Sequence, residues 1–349
     1  MPNSLLGQVL TATTKESRQQ MLKLWKARQL SKQISGTLQQ NLDNRIRLRA
    51  KRGDPDTDGT VVDALESIAR RGWILEALDL QSVKLSNHEM LQLMSTLAHC
   101  PFMADLNLTG NARSALGANA LGFAIGETLH QCLRKLDLSD NNLDAGDAFI
   151  LEEHLESCSA LTCLRLDRNP LGNEGARMVF DALKKAPTKA LQELHLVEIE
   201  LKHEGVLKLA QSLPAWPALA VLDVTGNLIQ NTGVAEIMAT LPQCPSLTNL
   251  NLSSNAIDNF GAFALAEALE RSTTLEILQL HGNEIRNDGF LALLKGAEKC
   301  LSLKDLKIDK NRISYELTLT AVVPGHVRVY DVDQLENSDE DDVDDDDIM

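Results

Sequence analysis

The chain has 349 residues, 44% of them hydrophobic but only 3% aromatic, and a formal net charge of −15. Its core must be built from small and medium aliphatics, which points away from an aromatic-anchored enzyme core and toward stacked repeats. No apolar run approaches the ~20 residues of a bilayer crossing, no secretory-type apolar stretch opens the chain, and the acidic balance argues against nucleic acid as the main ligand.

The charge is segregated. Residues 1–55 hold 11 Lys+Arg against 3 Asp+Glu, and residues 331–349 hold 11 acidic residues and no base. Between about Ser4 and Lys51 helix breakers are few, and Leu30, Ile34, Leu38, Leu42 and Ile46 recur at i, i+4 spacing, with Met21 and Trp25 extending the stripe backwards. This predicts an amphipathic helix that either caps the first repeat or docks on a partner through Trp25, Leu30, Ile34, Leu38 and Leu42. The basic cluster Arg45, Arg47, Arg49, Lys51 and Arg52 reads as a solvated helix end, favourable there because of the dipole, or as a nuclear localisation patch. Residues 53–60 form a polar linker, so residues 1–55 are expected to be a basic helical arm.

A template, LxxLxLxxNxL, then recurs nine times, opening at Leu75, Met103, Leu133, Leu161, Leu191, Leu219, Leu247, Leu275 and Leu303. Successive starts lie 28 or 30 residues apart. The LxL is expected as a short strand with both leucines in the core. The template asparagine, as in Asn141, Asn169, Asn227, Asn255, Asn283 and Asn311, is expected to satisfy backbone groups where strand turns to helix. A glycine at nearly fixed phase (Gly117, Gly146, Gly175, Gly205, Gly233, Gly261, Gly289) is expected to permit tight turning. One unit cannot bury its own apolar face, so neighbours stack.

The 28-residue period with a full helix resembles the ribonuclease-inhibitor-like class of leucine-rich repeats over about residues 56–330. The resemblance implies an α/β leucine-rich repeat solenoid, a horseshoe with a parallel sheet on its concave face and helices on its convex face. The class includes the Ran GTPase-activating protein and tropomodulin. A small GTPase or a cytoskeletal protein is therefore an open partner class, beside the first expectation of a non-enzymatic scaffold for a protein partner. A GTPase activator is the alternative, and an actin-regulatory module the third reading.

Cys100, Cys158, Cys244 and Cys300 share one phase, three residues before a repeat opens, and read as small buried side chains at helix ends. The six cysteines make no CxxC pair, which fits reduced thiols in a cytoplasmic protein, with nuclear or cytoskeletal association left open. No metal site and no cofactor are expected for the chain, since no His or second Cys stands at ligand spacing from that row.

Outward strand positions form two rows, one between the strand leucines and one after them, both expected to face the concave side. The richest patch contains Lys135, Asp137, Asp140, Arg165, Asp167, Arg168, Glu193, His195 and Glu198. It is either internal salt-bridge laddering or a partner-binding surface. No serine or cysteine nucleophile sits beside His195 at its own phase, so no enzyme is expected. After the ninth strand, residues 314–332 are expected as an irregular or β-type cap, and residues 331–349 as an acidic disordered tail. Within the tail, Ser338 precedes four acidic residues and is a candidate phosphorylation site for an acid-directed kinase.

Overall fold

In the computed structural model, which describes residues 45–49, 74–98, 100–111, 119, 121–122, 124–126, 128–187 and 190–330, every LxL segment is a strand. The chain divides between Glu200 and Leu201 into two compact units. The first contains β1 (Arg45–Arg49), β2 (Ile74–Asp79), β3 (Asp105–Asn107), β4 (Lys135–Asp137), β5 (Cys163–Arg165) and β6 (Glu193–His195), each paired in parallel with the next. Its helices are α1 (Asn87–Leu97), α2 (Ala145–Glu156) and α3 (Gly172–Lys185). The second contains β7 (Val221–Asp223), β8 (Asn249–Asn251), β9 (Ile277–Gln279), β10 (Asp305–Lys307) and β11 (Arg328–Tyr330), again all parallel. Its helices are α4 (His203–Ser212), α5 (Gln230–Thr240), α6 (Asn259–Leu269), α7 (Asn287–Lys299) and α8 (Tyr315–Thr320). This is an α/β leucine-rich repeat arrangement of short strands and returning helices.

The leucines build the core. The central leucine of each repeat strand, as at Leu136, Leu164, Leu250 and Leu278, is fully buried, and the inward faces of the helices meet it with Leu151, Val179, Leu265 and Leu293. Burying one such side chain is worth about 1.5–3 kcal/mol, and no repeat holds enough of them to stand alone.

The template asparagines form a ladder. Asn255 donates from Nδ2 to the Val224 carbonyl at 3.0 Å and the Ser253 carbonyl at 2.9 Å. Its Oδ1 accepts from the Asn227 and Ile229 amides at 3.2 and 3.4 Å. In the first unit Asn141 does the same, donating to Leu108 and Leu138 carbonyls at 3.1 and 2.8 Å while the Asn169 Oδ1 accepts from the Asn141 and Leu143 amides. Each amide side chain thus closes the turn of its own repeat and holds the preceding one. Ile199 interrupts the ladder, and backbone groups fill in: Leu171 N–H donates to the Asn169 carbonyl and Gly172 N–H to the Ile199 carbonyl.

The glycine row has a different cause from the one expected. Among the described members, Gly146, Gly175, Gly205, Gly233, Gly261 and Gly289, none has positive φ. Gly233, Gly261 and Gly289 are needed for close packing: a Cβ on Gly261 or Gly289 would lie 2.7 or 2.6 Å from the amide oxygen of Asn231 or Asn259. Those oxygens accept from the next repeat's helix start, Asn231 from Asp258 and Gly261 N–H, and Asn259 from Arg286 and Gly289 N–H. Asn287 continues the series onto Ser314 N–H. In the second unit, then, each of these helices is capped by an asparagine from the repeat before it, which satisfies amides that a helix start leaves open.

Two ends differ from expectation. Residues 45–49 form β1, paired with β2, where a helix end had been expected; Ile46 and the cluster members Arg45, Arg47 and Arg49 belong to a strand. Alternating basic and β-branched or leucine residues (RIRLR) fit a strand's period of two as well as a helix's, and pairing with the edge of β2 decides between them. Trp25, Leu30, Ile34, Leu38, Leu42, Lys51, Arg52 and Ser338 lie outside the described residues. At the other end a short helix, α8, precedes β11, so the cap after the ninth strand includes a helical turn as well as the β-type segment.

Of the row of four cysteines, Cys158, Cys244 and Cys300 are buried and Cys100 is half-buried. Burial pushes the thiols of Cys100, Cys158 and Cys244 up to about 11, about 12 and about 11.

The ladder predicts a specific cost. Asn255→Ala takes one of two donors from the Val224 carbonyl, which keeps Asn227 Nδ2, and strips the acceptor from the Asn227 and Ile229 amides, at ~1–3 kcal/mol per stranded group. Urea unfolding should show a loss of about 2–5 kcal/mol, against well under 1 kcal/mol for an exposed helix position such as Glu267→Ala.

Candidate functional site

The residues of repeats three to five lie within the first unit and fall into three sets by their place in the strand. Lys135, Cys163 and Glu193 open β4, β5 and β6, and the register pairs them in that order. Asp137, Arg165 and His195 close the same strands and are paired likewise. All six point away from the core, because the leucine between each pair points into it. Lys135 is exposed, with no ion-pair partner among the described residues, and Arg165 and Glu193 are partly exposed.

The row after the strand behaves differently. Thr109, Ser139 and Asp167 are buried. Ser139 donates from its amide and its hydroxyl to Asp137 Oδ1 at 3.0 and 2.7 Å, and Asn107 holds Thr109 in the same way. The second unit repeats the pattern at Asp223 with Thr225 and at Asn251 with Ser253. Asp137 is thus tied into its own turn, and Asp167 is occupied by Val197 N–H. Both carboxylates act on the backbone first.

Asp140, Arg168 and Glu198 stand at the very next position, where every repeat turns through a left-handed residue: Ser82, Gly110, Asp140, Arg168, Glu198, Gly226, Ser254, Gly282 and Lys310 all have φ between 52° and 73°. Side chains are uncommon there. The conformation is held because the amide donates to the next repeat, from Asp140 to the Asp167 carbonyl at 2.8 Å and from Arg168 to the Val197 carbonyl at 2.7 Å. The turn throws these side chains outward at the rim of the sheet.

Charges of opposite sign on adjacent repeats meet at two points. Arg168 and Asp140 form a bidentate pair, with Nε to Oδ1 and Nη2 to Oδ2 both at 2.6 Å. The hydrogen bonds from Arg168 hold the Asp140 carboxyl below its ordinary value, and the same contact raises Arg168. Arg165 Nη2 lies 3.9 Å from Glu193 Oε2, a looser contact. The patch is therefore mixed: one strong rim pair, two carboxylates committed to turns, and a remainder of Lys135, Arg165, Glu193, His195 and Glu198. Sequence reasoning placed these residues together; it had no signal for the left-handed turn, because only three of its nine positions are glycine.

Cys163 lies on the outer sheet face, but it is buried there by its neighbours. Burial foremost, and Glu193 next, push its thiol up to about 11. A thiol held protonated at neutral pH is a poor nucleophile.

Four stretches, residues 130–148, 157–180, 243–266 and 271–294, match the family model described as Leucine Rich repeat. The chain is 30% identical over 169 residues to the human NACHT, LRR and PYD domains-containing protein 5; the match takes in 48% of this chain and 14% of that relative's length. Among solved structures, internalin C2 of Listeria monocytogenes is similar at 16% identity and a TM-score of 0.37, covering 77% of this chain and 84% of its own. The TLR13 of a TLR13–ssRNA13 complex is similar at 18% identity and a TM-score of 0.42, covering 72% of this chain and 35% of its own.

The Arg168–Asp140 contact generates a measurable shift. A carboxylate whose folded value is depressed stabilises the fold above its ordinary value, and that stability is lost as pH falls through the lowered folded value. Both side chains are about half exposed, so the pair is worth at most about 1 kcal/mol. Arg168→Ala should bring the Asp140 carboxyl back up toward its ordinary value in an NMR pH titration, while the urea midpoint at pH 7 moves little.

Proposed function

We propose that this chain is a leucine-rich repeat interaction module of the ribonuclease-inhibitor-like kind, which takes a protein partner through the outer strand face and loop rim of repeats three to five. The 28-residue period, with a full helix returning from most strands, supports the subtype. The observation that carries the functional reading is the placement of Lys135, Arg165, Glu193 and Glu198. They are accessible charged side chains of both signs, on a backbone fixed by the asparagine ladder, next to carboxylates already spent on turns.

A surface fixed in this way loses little side-chain and loop entropy on docking. It presents no aromatic anchor, so recognition is electrostatic: complementary charge sets the on-rate and the choice of partner. The reading has no catalytic step. The protonated thiol of Cys163 and the open sheet face both suit contact rather than covalent chemistry. The N-terminal arm and the acidic tail are proposed as second, separable elements, with Trp25, Leu30, Ile34, Leu38 and Leu42 as the arm's contact stripe.

The test compares the full chain with a Lys135→Glu/Arg165→Glu variant in affinity capture followed by mass spectrometry, with thermal melts alongside. The expected result is at least tenfold less of the captured partner with the melting temperature within about 3 °C of the parent. A lowered melting temperature with undiminished capture would assign the patch to internal laddering.

A further inference from the structure

We propose that Cys163, Glu193 and His195 form a binding site for a zinc-class divalent cation on the outer face of β5 and β6. The register sets Cys163 directly opposite Glu193, and His195 lies two residues on from Glu193 along the same strand, on the same face. The imidazole reaches back diagonally, a distance long side chains span between neighbouring strands. The thiol sulfur, a carboxylate oxygen and an imidazole nitrogen all lie within 4.8 Å of one another.

Two of the three separations suit a single ion, and the third lies within 4.8 Å. Cys163 Sγ is 3.5 Å from Glu193 Oε2, and His195 Nε2 is 3.6 Å from the same oxygen. A tetrahedral ion at ~2.0–2.3 Å from S, N and O ligands sets those atoms roughly 3.3–3.6 Å apart. A second, independent observation points the same way. His195 Nε2 is buried, and it has no hydrogen-bond partner among the described residues. A buried ring nitrogen whose nearest acceptor stands off at 3.6 Å is poorly satisfied; a cation between the three groups supplies a closer partner.

Thiolate, imidazole and carboxylate together are the ligand set of zinc, not of the hard, all-oxygen cations. Three protein ligands leave a fourth position, which faces solvent because Glu193 and Arg165 are only partly covered there. Arg165 opposes a cation, and so does the burial that favours the protonated thiol of Cys163. The Arg165 guanidinium contacts Glu193 at 3.9 Å and must give way, and with 41% of its side chain exposed it has room to do so. Binding displaces the thiol proton of Cys163 to solvent and leaves the ion's charge to be shared by the thiolate and the carboxylate.

The ion that tests this is Co²⁺, added to the full chain freed of metal, with Zn²⁺ as competitor. One equivalent should bring up the thiolate-to-cobalt charge-transfer band and the visible bands of a four-coordinate ion, and Zn²⁺ should erase both. Cys163→Ser should remove the charge-transfer band, whereas Cys244→Ser, which alters a thiol buried elsewhere, should keep it. His195→Gln and Arg165→Ala change partly exposed side chains and guard against a folding defect in the cysteine variant. The first should weaken Zn²⁺ binding at least tenfold and the second should tighten it. No charge-transfer band with the parent chain, a band that survives Cys163→Ser, or affinities unmoved by both other variants would overturn the assignment.

Discussion

The rest of the structure depends on the side-chain amide of the template asparagine. A strand of three residues makes too few ladder hydrogen bonds to fix its own turn, and the turn leaves buried carbonyls and amides that water does not reach. Asn141, Asn169, Asn255 and Asn283 each satisfy several of these at once, with donors to two repeats and an acceptor for the backbone of the previous one. The strand phase, the direction in which leucines point and the outward placement of polar side chains follow from that constraint. Unsatisfied groups of this kind would be costly enough to offset the leucine burial in a repeat.

The candidate surface inherits its stiffness from the same source. Asp140, Arg168 and Glu198 sit in a left-handed conformation that side chains disfavour by about 1 kcal/mol or more. At Asp140 and Arg168 that cost is offset because the turn delivers an amide to the neighbouring carbonyl. The rim charges are thereby held in register from repeat to repeat, and the 2.6 Å contacts between Arg168 and Asp140 are one result. Beside them, Asp137 and Asp167 have the same charge but a different task, since each accepts from backbone amides. Equal formal charges on one face are therefore unequal in what they offer a partner.

The break in the ladder at Ile199 falls beside the most unusual part of the strand face. Asp167 accepts from Val197 N–H, the amide that the strand-closing Asp or Asn holds in other repeats, where this repeat has His195. Earlier on the strands of the same two repeats stand Cys163, Glu193 and His195, whose polar atoms converge under partial cover. A cysteine on an outer strand position, an orphan imidazole nitrogen and a carboxylate do not belong to the leucine pattern and are not needed for it.

The sequence by itself determined the repeats, the nine strands, the leucine core and the asparagine ladder, because each rests on a local period that a one-dimensional reading detects: leucine at fixed phase must be buried, and a polar residue at fixed phase must be doing the same job each time. It also brought the patch residues together, since equal phase means adjacency in a stacked fold. It misjudged the glycine row, where the requirement is closeness to Asn231 or Asn259 and not a turn angle, although the recurring Asn-x-Gly spacing was present to be read. It assigned a helix end to residues 45–49, where an open edge on β2 made a strand. What only the tertiary structure decided is which polar groups were already spent. Hydrogen-bond partners, the left-handed turn and the distances among Cys163, Glu193 and His195 are set by side-chain reach across neighbouring strands, and phase fixes which strands are neighbours without fixing where their side chains point.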